Sequence, residues 1–296
     1  MALYRVPTRR GFLRQSIGSA AAAAGLAAMA GRGRAQAPRA RWALLSDIHI
    51  PTDALNEYRG FRPFENLKRI APVVAESGVE GALVNGDIAR LEGLPGDYAN
   101  VKTLLAPIFA KMPLAMSLGN HDHRKNFAAT FAESPGEEQA IHDKHVVVTQ
   151  AGPVRLVILD SMLRTNLVSG LLGKEQRVWL EQYLPSAGST PILVFMHHTP
   201  GDRDGDLLDT DRLLSILSAN RNVKALVYGH SHRYAYDQVK GMHLINIPAI
   251  GYNFNDSEPV GWVHAEFGAD GADFRLHAFG GNRANDGKLT SLAWRG

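Results

Sequence analysis

Seven side chains that can bind metal ions follow five separate apolar segments of this 296-residue chain. They are Asp47, His49, Asp87, Asn120, His197, His230 and His232. Imidazole combined with carboxylate suits Zn, Fe, Mn, Co or Ni, whereas a site for Ca or Mg alone would not be expected to contain four histidines. Seven ligands exceed the four that one tetrahedral zinc ion takes. The set therefore suits two ions that lie close together and share one carboxylate.

The segments that must position these residues alternate between strand-like and helical patterns. Strands are predicted at 42–46, 81–84, 114–118, 191–196 and 223–228, and helices at 64–77, 97–111, 174–184 and 207–220. This alternation indicates an α/β domain whose strands are largely buried. Because ligands collect beyond the carboxyl ends of the strands in such sheets, we expect the five polar clusters to converge on one site.

Other segments predict antiparallel pairing. Residues 145–149 and 154–159 flank Gly152 and indicate a β-hairpin. Three later runs indicate further antiparallel strands, at 243–247, 260–267 and 272–278. The β-structure is therefore expected to be mixed.

The order of the polar clusters resembles that of the calcineurin-like metallophosphoesterases. The matching motifs, spread over about residues 41–255, are Asp47-x-His49, Gly86-Asp87, Gly119-Asn120-His121-Asp122, His197 and Gly229-His230-Ser231-His232. The segments at 159–161 and 173–184 are similar to the branch that contains class III cyclic nucleotide phosphodiesterases and glycerophosphodiesterases. The resemblance implies a four-layer αββα sandwich of two mixed β-sheets flanked by helices.

The resemblance also implies how the ligands divide between two transition-metal ions, divalent or trivalent, such as Fe, Mn or Zn. Metal 1 would be bound by Asp47, His49, Asp87 and His232, and metal 2 by Asp87, Asn120, His197 and His230, so that Asp87 is the bridge. His197 takes the ligand position rather than His198 because it follows its strand directly. Thr199-Pro200 comes next, where many relatives place proline at once, so this loop departs from the family pattern.

Two metal ions would lower the pKa of a water molecule between them, which then attacks phosphorus as hydroxide. The leaving alkoxide needs a proton, and His121, which is not required as a ligand, is predicted to donate it. Asp122 is a candidate to hold the His121 imidazole in one tautomer, the alternative being the N-cap of a helix that begins near Arg124. His123 and Arg124 either contact substrate phosphate or lie at the surface.

These features predict a hydrolase of phosphoester bonds that acts on small phosphodiesters of the cyclic nucleotide or glycerophosphodiester type. One alternative is a phosphomonoesterase or nucleotidase that uses the same metals. A second is a non-catalytic metal-binding module that has kept the fold, although such a protein is expected to lack the reactive histidine or some ligands.

Composition excludes several other classes of protein. The chain is 45% apolar and 21% charged and contains no cysteine, which excludes collagen-like and disordered chains, thiol nucleophiles and cysteine-based metal sites. Its formal charge is +3, but residues 1–37 contain six arginines and no acidic residue, so the rest of the chain has 26 basic and 29 acidic side chains. An acidic run at 202–211 would also repel a polyanion. No nucleic-acid partner is therefore expected.

The N-terminal segment resembles a twin-arginine signal peptide. Arg9-Arg10 precedes Phe12-Leu13, a stretch of small apolar residues covers 17–30, and Ala35-Gln36-Ala37 matches a cleavage signal. We therefore expect residues 1–37 to direct export through the twin-arginine machinery to the periplasm, and residues 38–296 to form the phosphoesterase domain. The apolar stretch is too short and too weakly apolar to serve as a stable membrane anchor.

Overall fold

The computed structural model describes residues 38–132 and 135–296. The expected signal peptide lies outside the described residues and stays a prediction, which N-terminal sequencing of the exported protein would test. In the described part, no helix has both the length and the apolar character needed to cross a membrane.

Strands and helices alternate through the first two thirds of the described chain, and strands dominate the last third. The strands are β1 (Ala40–Leu45), β2 (Gly81–Asn85), β3 (Leu114–Ser117), β4 (Glu137–Glu138), β5 (Val147–Ala151), β6 (Val154–Ile158), β7 (Ile192–Phe195), β8 (Val223–Tyr228), β9 (Ala235–Val239), β10 (Met242–Asn246), β11 (Pro259–Phe267), β12 (Gly271–Gly281) and β13 (Leu289–Ala293). The helices are α1 (Pro63–Ala75), α2 (Pro95–Leu104), α3 (Ala106–Phe109), α4 (Arg124–Thr130), α5 (Lys174–Ser186) and α6 (Thr210–Ala219).

The strands form two mixed sheets. One has six strands in the order β13-β12-β11-β1-β2-β3, and the other has seven in the order β4-β5-β6-β7-β8-β10-β9. Part of each sheet is parallel: β1, β2 and β3 at one side of the first sheet, and β6, β7, β8 and β10 within the second. Since parallel neighbours end at the same edge, the residues that follow these strands lie side by side.

Side-chain alternation along the central strands explains the four layers. Trp42 and Leu44 of β1 lie in the apolar core between the two sheets, together with Phe195 of β7. Ala43 and Leu45, the intervening residues, pack instead against the helices α1 to α3. A third apolar cluster joins the other face of the second sheet to α5 and α6. The predicted αββα sandwich is confirmed.

Several predicted elements differ in detail from the observed ones. The single helix expected at 97–111 is two helices, α2 and α3, which meet at Leu105. Pro107 explains the break, because it lacks an N–H and its ring excludes the preceding helical carbonyl. The predicted hairpin is formed by β5 and β6. The antiparallel strand predicted at 243–247 is β10, which pairs antiparallel with β9 as expected but parallel with β8 on its other side.

Candidate metal centre

Each predicted metal ligand lies in a turn directly after a parallel strand. Asp47 and His49 follow β1, Asp87 follows β2 and Asn120 follows β3 in the first sheet. The other three, His197 after β7 and His230 and His232 after β8, come from the second sheet. Six of the seven side chains are buried, and His230 is half-buried. The two sheets therefore bring all seven residues to one edge of the sandwich.

A first group of ligand atoms is formed by Asp47, His49 and His232. The Nε2 atom of His232 lies 3.1 Å from His49 Nε2 and 3.2 Å from Asp47 Oδ1. Asp87 adjoins this group, since its Oδ2 atom is 3.7 Å from His49 Nε2.

A second group contains Asp87, His197 and His230. The Nε2 atom of His197 lies 3.3 Å from Asp87 Oδ2 and 3.3 Å from His230 Nδ1. The same Oδ2 atom of Asp87 therefore faces both groups, as a bridging carboxylate would. Asn120 immediately precedes His121, whose backbone N–H donates to Asp87 Oδ1 at 2.9 Å, so the turn that carries Asn120 contacts the Asp87 carboxylate.

The separations between these atoms fit shared metal ions. At metal–nitrogen distances near 2.1 Å, two ligand atoms of one ion lie about 3.0–3.5 Å apart. Within the described residues, the buried Oδ1 atom of Asn120 has no hydrogen-bond partner, although buried amide oxygens are normally paired. A cation would satisfy it. The donor set, histidine nitrogen with carboxylate and amide oxygen, suits transition metals.

The histidines are held by backbone carbonyls through the ring nitrogen that faces away from the cluster. His197 Nδ1 lies 3.0 Å from the Asn85 carbonyl oxygen, and His232 Nδ1 lies 2.6 Å from that of Tyr252. His230 is reversed, because its Nε2 atom bonds the Gly205 carbonyl at 2.9 Å and its Nδ1 faces His197. Such bonds fix the tautomer and orient the other nitrogen toward a metal.

The turns that carry the ligands have unusual backbone conformations. Five of the seven predicted ligands have left-handed φ angles, between 47° and 66°, namely Asp47, His49, Asp87, His230 and His232. A non-glycine residue adopts this conformation at a cost of about 1–3 kcal/mol, which the surrounding structure must offset. The clustering of these strained residues at one site indicates that the fold is organised around them.

Two glycines allow these turns to approach each other. Gly86 has a φ of 82°, and a Cβ atom added to it would lie 2.5 Å from the His197 ring. At Gly119, an added Cβ would overlap the carboxylate and backbone nitrogen of Asp87. Any side chain at either position would displace the second ligand group, which gives the glycines of both motifs a physical role.

The pKa shifts in the cluster keep most of its side chains in the protonation states that bind cations. Burial favours neutral Asp47, but the nearby His232 and His197 outweigh it and hold the pKa of this carboxyl below its usual range. Burial lowers the pKa of His49 to about 3 and that of His230 to about 4. Both imidazoles are therefore neutral at pH 7, with a lone pair free for metal.

His197 differs in its electrostatics. Burial opposes its protonation, yet Asp87 and Asp47 together raise its pKa to about 9. Because a metal ligand must be a neutral imidazole, metal binding is expected to displace a proton from this residue.

His121 lies at the open side of the cluster. Its Nδ1 atom is 3.0 Å from the carbonyl oxygen of Leu91, and its Nε2 atom is 4.0 Å from Asp87 Oδ2. The side chain is 17% exposed, whereas Asp87 is buried. His121 also forms a three-residue group with His49 and Asp87 that could bind a metal ion. The position of His121 is thus compatible with two roles, proton donor and metal ligand, and variants of His121 distinguish between them.

Comparison with known proteins agrees with this site. The sequence profile of the calcineurin-like phosphoesterases matches residues 40–234, which include all seven predicted ligands. The chain belongs to this family. It is a metallophosphoesterase whose relatives are named as phosphodiesterases.

Two such relatives align with most of the phosphoesterase. A "Probable cyclic nucleotide phosphodiesterase" of Vesicomyosocius okutanii is 25% identical over 74% of this chain and 89% of its own length. The 3',5'-cyclic adenosine monophosphate phosphodiesterase CpdA of Pseudomonas aeruginosa is 27% identical over 71% of this chain and 76% of its own length.

Among solved structures, a dimetal phosphatase from Danio rerio shares the fold, with a TM-score of 0.69 and 15% identity over 87% of this chain and 99% of that one. A purple acid phosphatase from yellow lupin gives a TM-score of 0.61 with 16% identity, over 87% of this chain and 54% of that one. At these identities the likeness concerns the fold alone.

Asp122 has a role in the phosphoesterase that neither sequence interpretation predicted. Its buried carboxylate accepts hydrogen bonds from the backbone N–H groups of Gly119, Ile88 and Ala89 at 2.8–3.1 Å, and from the Tyr98 hydroxyl at 3.1 Å. It does not orient His121, which bonds a backbone carbonyl instead, and the N-cap of α4 is His123. Asp122 therefore ties the turn that follows β2 to the turn that follows β3.

We expect Asp122→Ala to lower the free energy of unfolding by about 3 kcal/mol or more. The substitution leaves three buried backbone donors and the Tyr98 hydroxyl without an acceptor, and each unsatisfied donor costs about 1–3 kcal/mol. Denaturant unfolding with and without chelator measures the effect apart from any loss of metal. Asp256→Ala, at a fully exposed carboxylate, is the control and should change stability by less than about 0.5 kcal/mol. A similarly small change for Asp122→Ala would contradict this role.

The neighbours of His121 are engaged in contacts of their own. The Arg124 guanidinium makes a two-pronged ion pair with the buried Asp160, at 2.7 and 2.9 Å. His123 accepts a bond from the backbone N–H of Asn126 as the α4 cap. The Arg124 side chain is 26% exposed, so it lies partly at the surface while its guanidinium is paired with the buried Asp160.

Sequence reasoning missed the polar network beneath the ligands. The side chain of Asn85 donates to the Met196 carbonyl at 2.8 Å and accepts from the Ser117 hydroxyl at 3.1 Å. Ser46 donates to the Asp47 carboxylate and also to the Asn85 carbonyl. Asn85 thus joins the ends of β2, β3 and β7 across both sheets. Its place before Gly86-Asp87 was the signal that could have indicated this role.

Proposed function

We propose that this metallophosphoesterase hydrolyses small phosphodiesters at a binuclear metal centre. One observation carries the proposal: the Oδ2 atom of Asp87 faces both ligand groups, at 3.7 Å from His49 Nε2 and 3.3 Å from His197 Nε2. Two ions that share this carboxylate would bind both non-bridging oxygens of one phosphodiester. The seven predicted ligands supply the two sites, as assigned from the family resemblance.

The protein's own residues hold and protonate the substrate. Metal ions at the two positions would supply Lewis acidity, which withdraws charge from phosphate oxygens and lowers the pKa of nearby water. His121 is partly exposed beside Asp87, and the Leu91 carbonyl accepts from its Nδ1–H, so Nε2 is the atom that carries a proton toward the leaving oxygen. The buried turns exclude bulk water from one side of the phosphate.

The relatives support diesters rather than monoesters as substrates. Besides the two described above, a "Probable glycerophosphodiester phosphodiesterase GpdQ" of Arcobacter nitrofigilis is 30% identical over 41% of this chain and 46% of its own length. These proteins are named for two kinds of diester, cyclic nucleotides and glycerophosphodiesters. The phosphomonoesterase alternative uses the same metals, and its outcome is part of the test.

Purified protein assayed in parallel on bis(p-nitrophenyl) phosphate and p-nitrophenyl phosphate tests the proposal. We expect kcat/KM for the diester to exceed that for the monoester by more than about tenfold, which corresponds to about 1.4 kcal/mol in transition-state binding. Chelator should abolish both activities, and added Mn or Zn should restore them.

Two results would contradict the proposal. Activity that survives complete removal of metal would exclude the metal-dependent mechanism. A preference for the monoester would instead favour the phosphomonoesterase alternative on the same site. Metal analysis of the same sample shows whether the active protein holds two ions per chain.

A further inference from the structure

An aromatic surface borders the first ligand group. It consists of Tyr58, Tyr252 and Phe254, which we call the aromatic ledge. Tyr58 is 41% exposed and Phe254 is 49% exposed, whereas Tyr252 is buried between them. The ring of Tyr252 meets Tyr58 edge-on at 4.8 Å and Phe254 edge-on at 5.6 Å, measured between centroids. Large apolar side chains are usually covered, so two exposed rings beside a reactive site suggest a ligand.

The ledge is attached directly to predicted metal ligands. The Phe254 ring stacks on the ring of His232, with centroids 4.2 Å apart and planes 25° apart. The Tyr252 ring stacks on His49 at 4.7 Å, and its backbone carbonyl accepts from His232 Nδ1. Since His232 covers one face of Phe254 while half of the side chain is exposed, the opposite face is open to solvent. A planar group on that face would be one ring layer away from the metal centre.

The positively charged side chain of Arg90 lies next to the aromatic ledge. The Arg90 guanidinium carbon lies 5.0 Å from the Tyr58 ring centroid and 5.4 Å from that of Tyr252, within cation–π range. The Nε–H of Arg90 donates to Asn56 Oδ1 at 3.1 Å. Over residues 38–132 and 135–296, no carboxylate lies within ion-pair distance of this guanidinium. Its charge is therefore available to an anionic or electron-rich ligand.

The opposite side of the centre has a net negative charge. The Gly205 carbonyl contacts His230 of the second group, and its loop exposes two carboxylates, Asp202 and Asp204, against one guanidinium, Arg203. An anionic substrate with one large planar substituent would place that substituent on the Arg90 side. The two sides of the centre thus differ in both charge and aromatic content.

From this juxtaposition we infer that the ledge is a subsite for the base of a nucleotide, stacked on the free face of Phe254 and beside Tyr58. The inference rests on the proposed function and narrows its substrate class from small phosphodiesters to those that carry a nucleobase. Stacking of a base on a protein aromatic ring changes affinity by about 5- to 150-fold.

Binding of two ligands that differ only by the base tests the inference without requiring turnover. Titration calorimetry of the metal-containing protein with 5'-AMP and with ribose 5-phosphate compares them directly. We expect 5'-AMP to bind at least about fivefold more tightly. In Phe254→Ala that ratio should fall close to one, and Phe254→Trp should restore it. Tyr58→Ala should reduce it as well, and the ring contacts of Tyr58 are with Tyr252 and Arg90.

Leu55→Ala is the matched control, because Leu55 is 73% exposed on the same loop as Tyr58 and lies outside the ledge. It should keep the wild-type ratio. Metal analysis of each variant is needed because Phe254 packs on His232. If Phe254→Ala loses metal, the affinity ratio measured in Tyr58→Ala is the result that tests the subsite.

The outcomes separate this inference from the proposed function. If wild-type protein binds both ligands equally, or if Tyr58→Ala and a metal-containing Phe254→Ala keep the full ratio, the subsite is wrong even though diesters are hydrolysed. If the protein hydrolyses no diester, the proposed function fails first and the narrower substrate class fails with it.

Discussion

Replacing Asp87 by alanine is expected to remove both metal ions and to lower phosphodiester turnover by more than about 10³-fold. Asp87 Oδ2 faces His49 Nε2 and His197 Nε2, so the substitution takes an anionic ligand from both groups at once. The histidines that remain are mostly neutral, and a divalent cation among them would lack the carboxylate that offsets its charge. Metal content per chain and turnover are the two measurements.

Asp47→Ala provides the matched comparison. Asp47 is a predicted ligand in the first group and not in the second, where its carboxylate only accepts from the backbone N–H of His230, so its loss is expected to leave about one ion per chain rather than none. Asp270→Ala, at an exposed carboxylate in the turn between β11 and β12, should retain both ions and full activity. If Asp87→Ala retained two ions, or if Asp47→Ala and Asp87→Ala lost metal equally, Asp87 would not be the bridge.

The ligand positions could be predicted from the sequence because they are a local property of the strands. An apolar run that ends in Asp-x-His or Gly-His-x-His places polar side chains at a strand end, and parallel strands end at one edge. The seven predicted residues lie together for this reason. The same pattern predicted an α/β domain with buried strands, since buried strands require helices on their outer faces, whereas the four-layer sandwich was implied by the family resemblance.

The role of Asp122 could not be predicted in the same way. Its sequence neighbours, His121 and His123, suggested a local function, either orientation of an imidazole or a helix cap. The Asp122 carboxylate accepts hydrogen bonds from the backbone N–H groups of Ile88 and Ala89, which are more than 30 residues away in the sequence. Only the packing of two turns reveals such a bond, because any carboxylate in this segment would have the same local pattern.

The aromatic ledge could not be predicted from the sequence for a related reason. Tyr58 and Phe254 lie almost 200 residues apart, in loops that contain no motif of their own. Loop residues acquire a function through the scaffold that brings them together. Substrate choice in this phosphoesterase is therefore expected to reside in those loops, whereas the shared chemistry resides in the turns after the strands.

Replacing His121 by alanine should lower turnover by about 10²–10⁴-fold, the usual contribution of a positioned general acid, while both metal ions stay bound. The seven predicted ligands remain in place, and the backbone N–H that donates to Asp87 is kept in alanine. Metal analysis and turnover together test this, and they decide whether His121 is a proton donor or, with His49 and Asp87, a metal ligand. Loss of an ion in His121→Ala would make it a ligand.

The rate loss in His121→Ala, compared between two leaving groups, tests whether His121 donates a proton to the leaving oxygen. A basic alkoxide, such as the ribose 3'-oxygen of a cyclic nucleotide, needs a proton as it leaves, so His121→Ala should slow this substrate strongly. Nitrophenolate leaves without one, so hydrolysis of bis(p-nitrophenyl) phosphate should be slowed far less. His123→Ala is the control, because the His123 side chain caps α4, and its effect should be small on both substrates. Equal losses on both leaving groups in His121→Ala would indicate that His121 positions the phosphate and does not protonate the leaving oxygen.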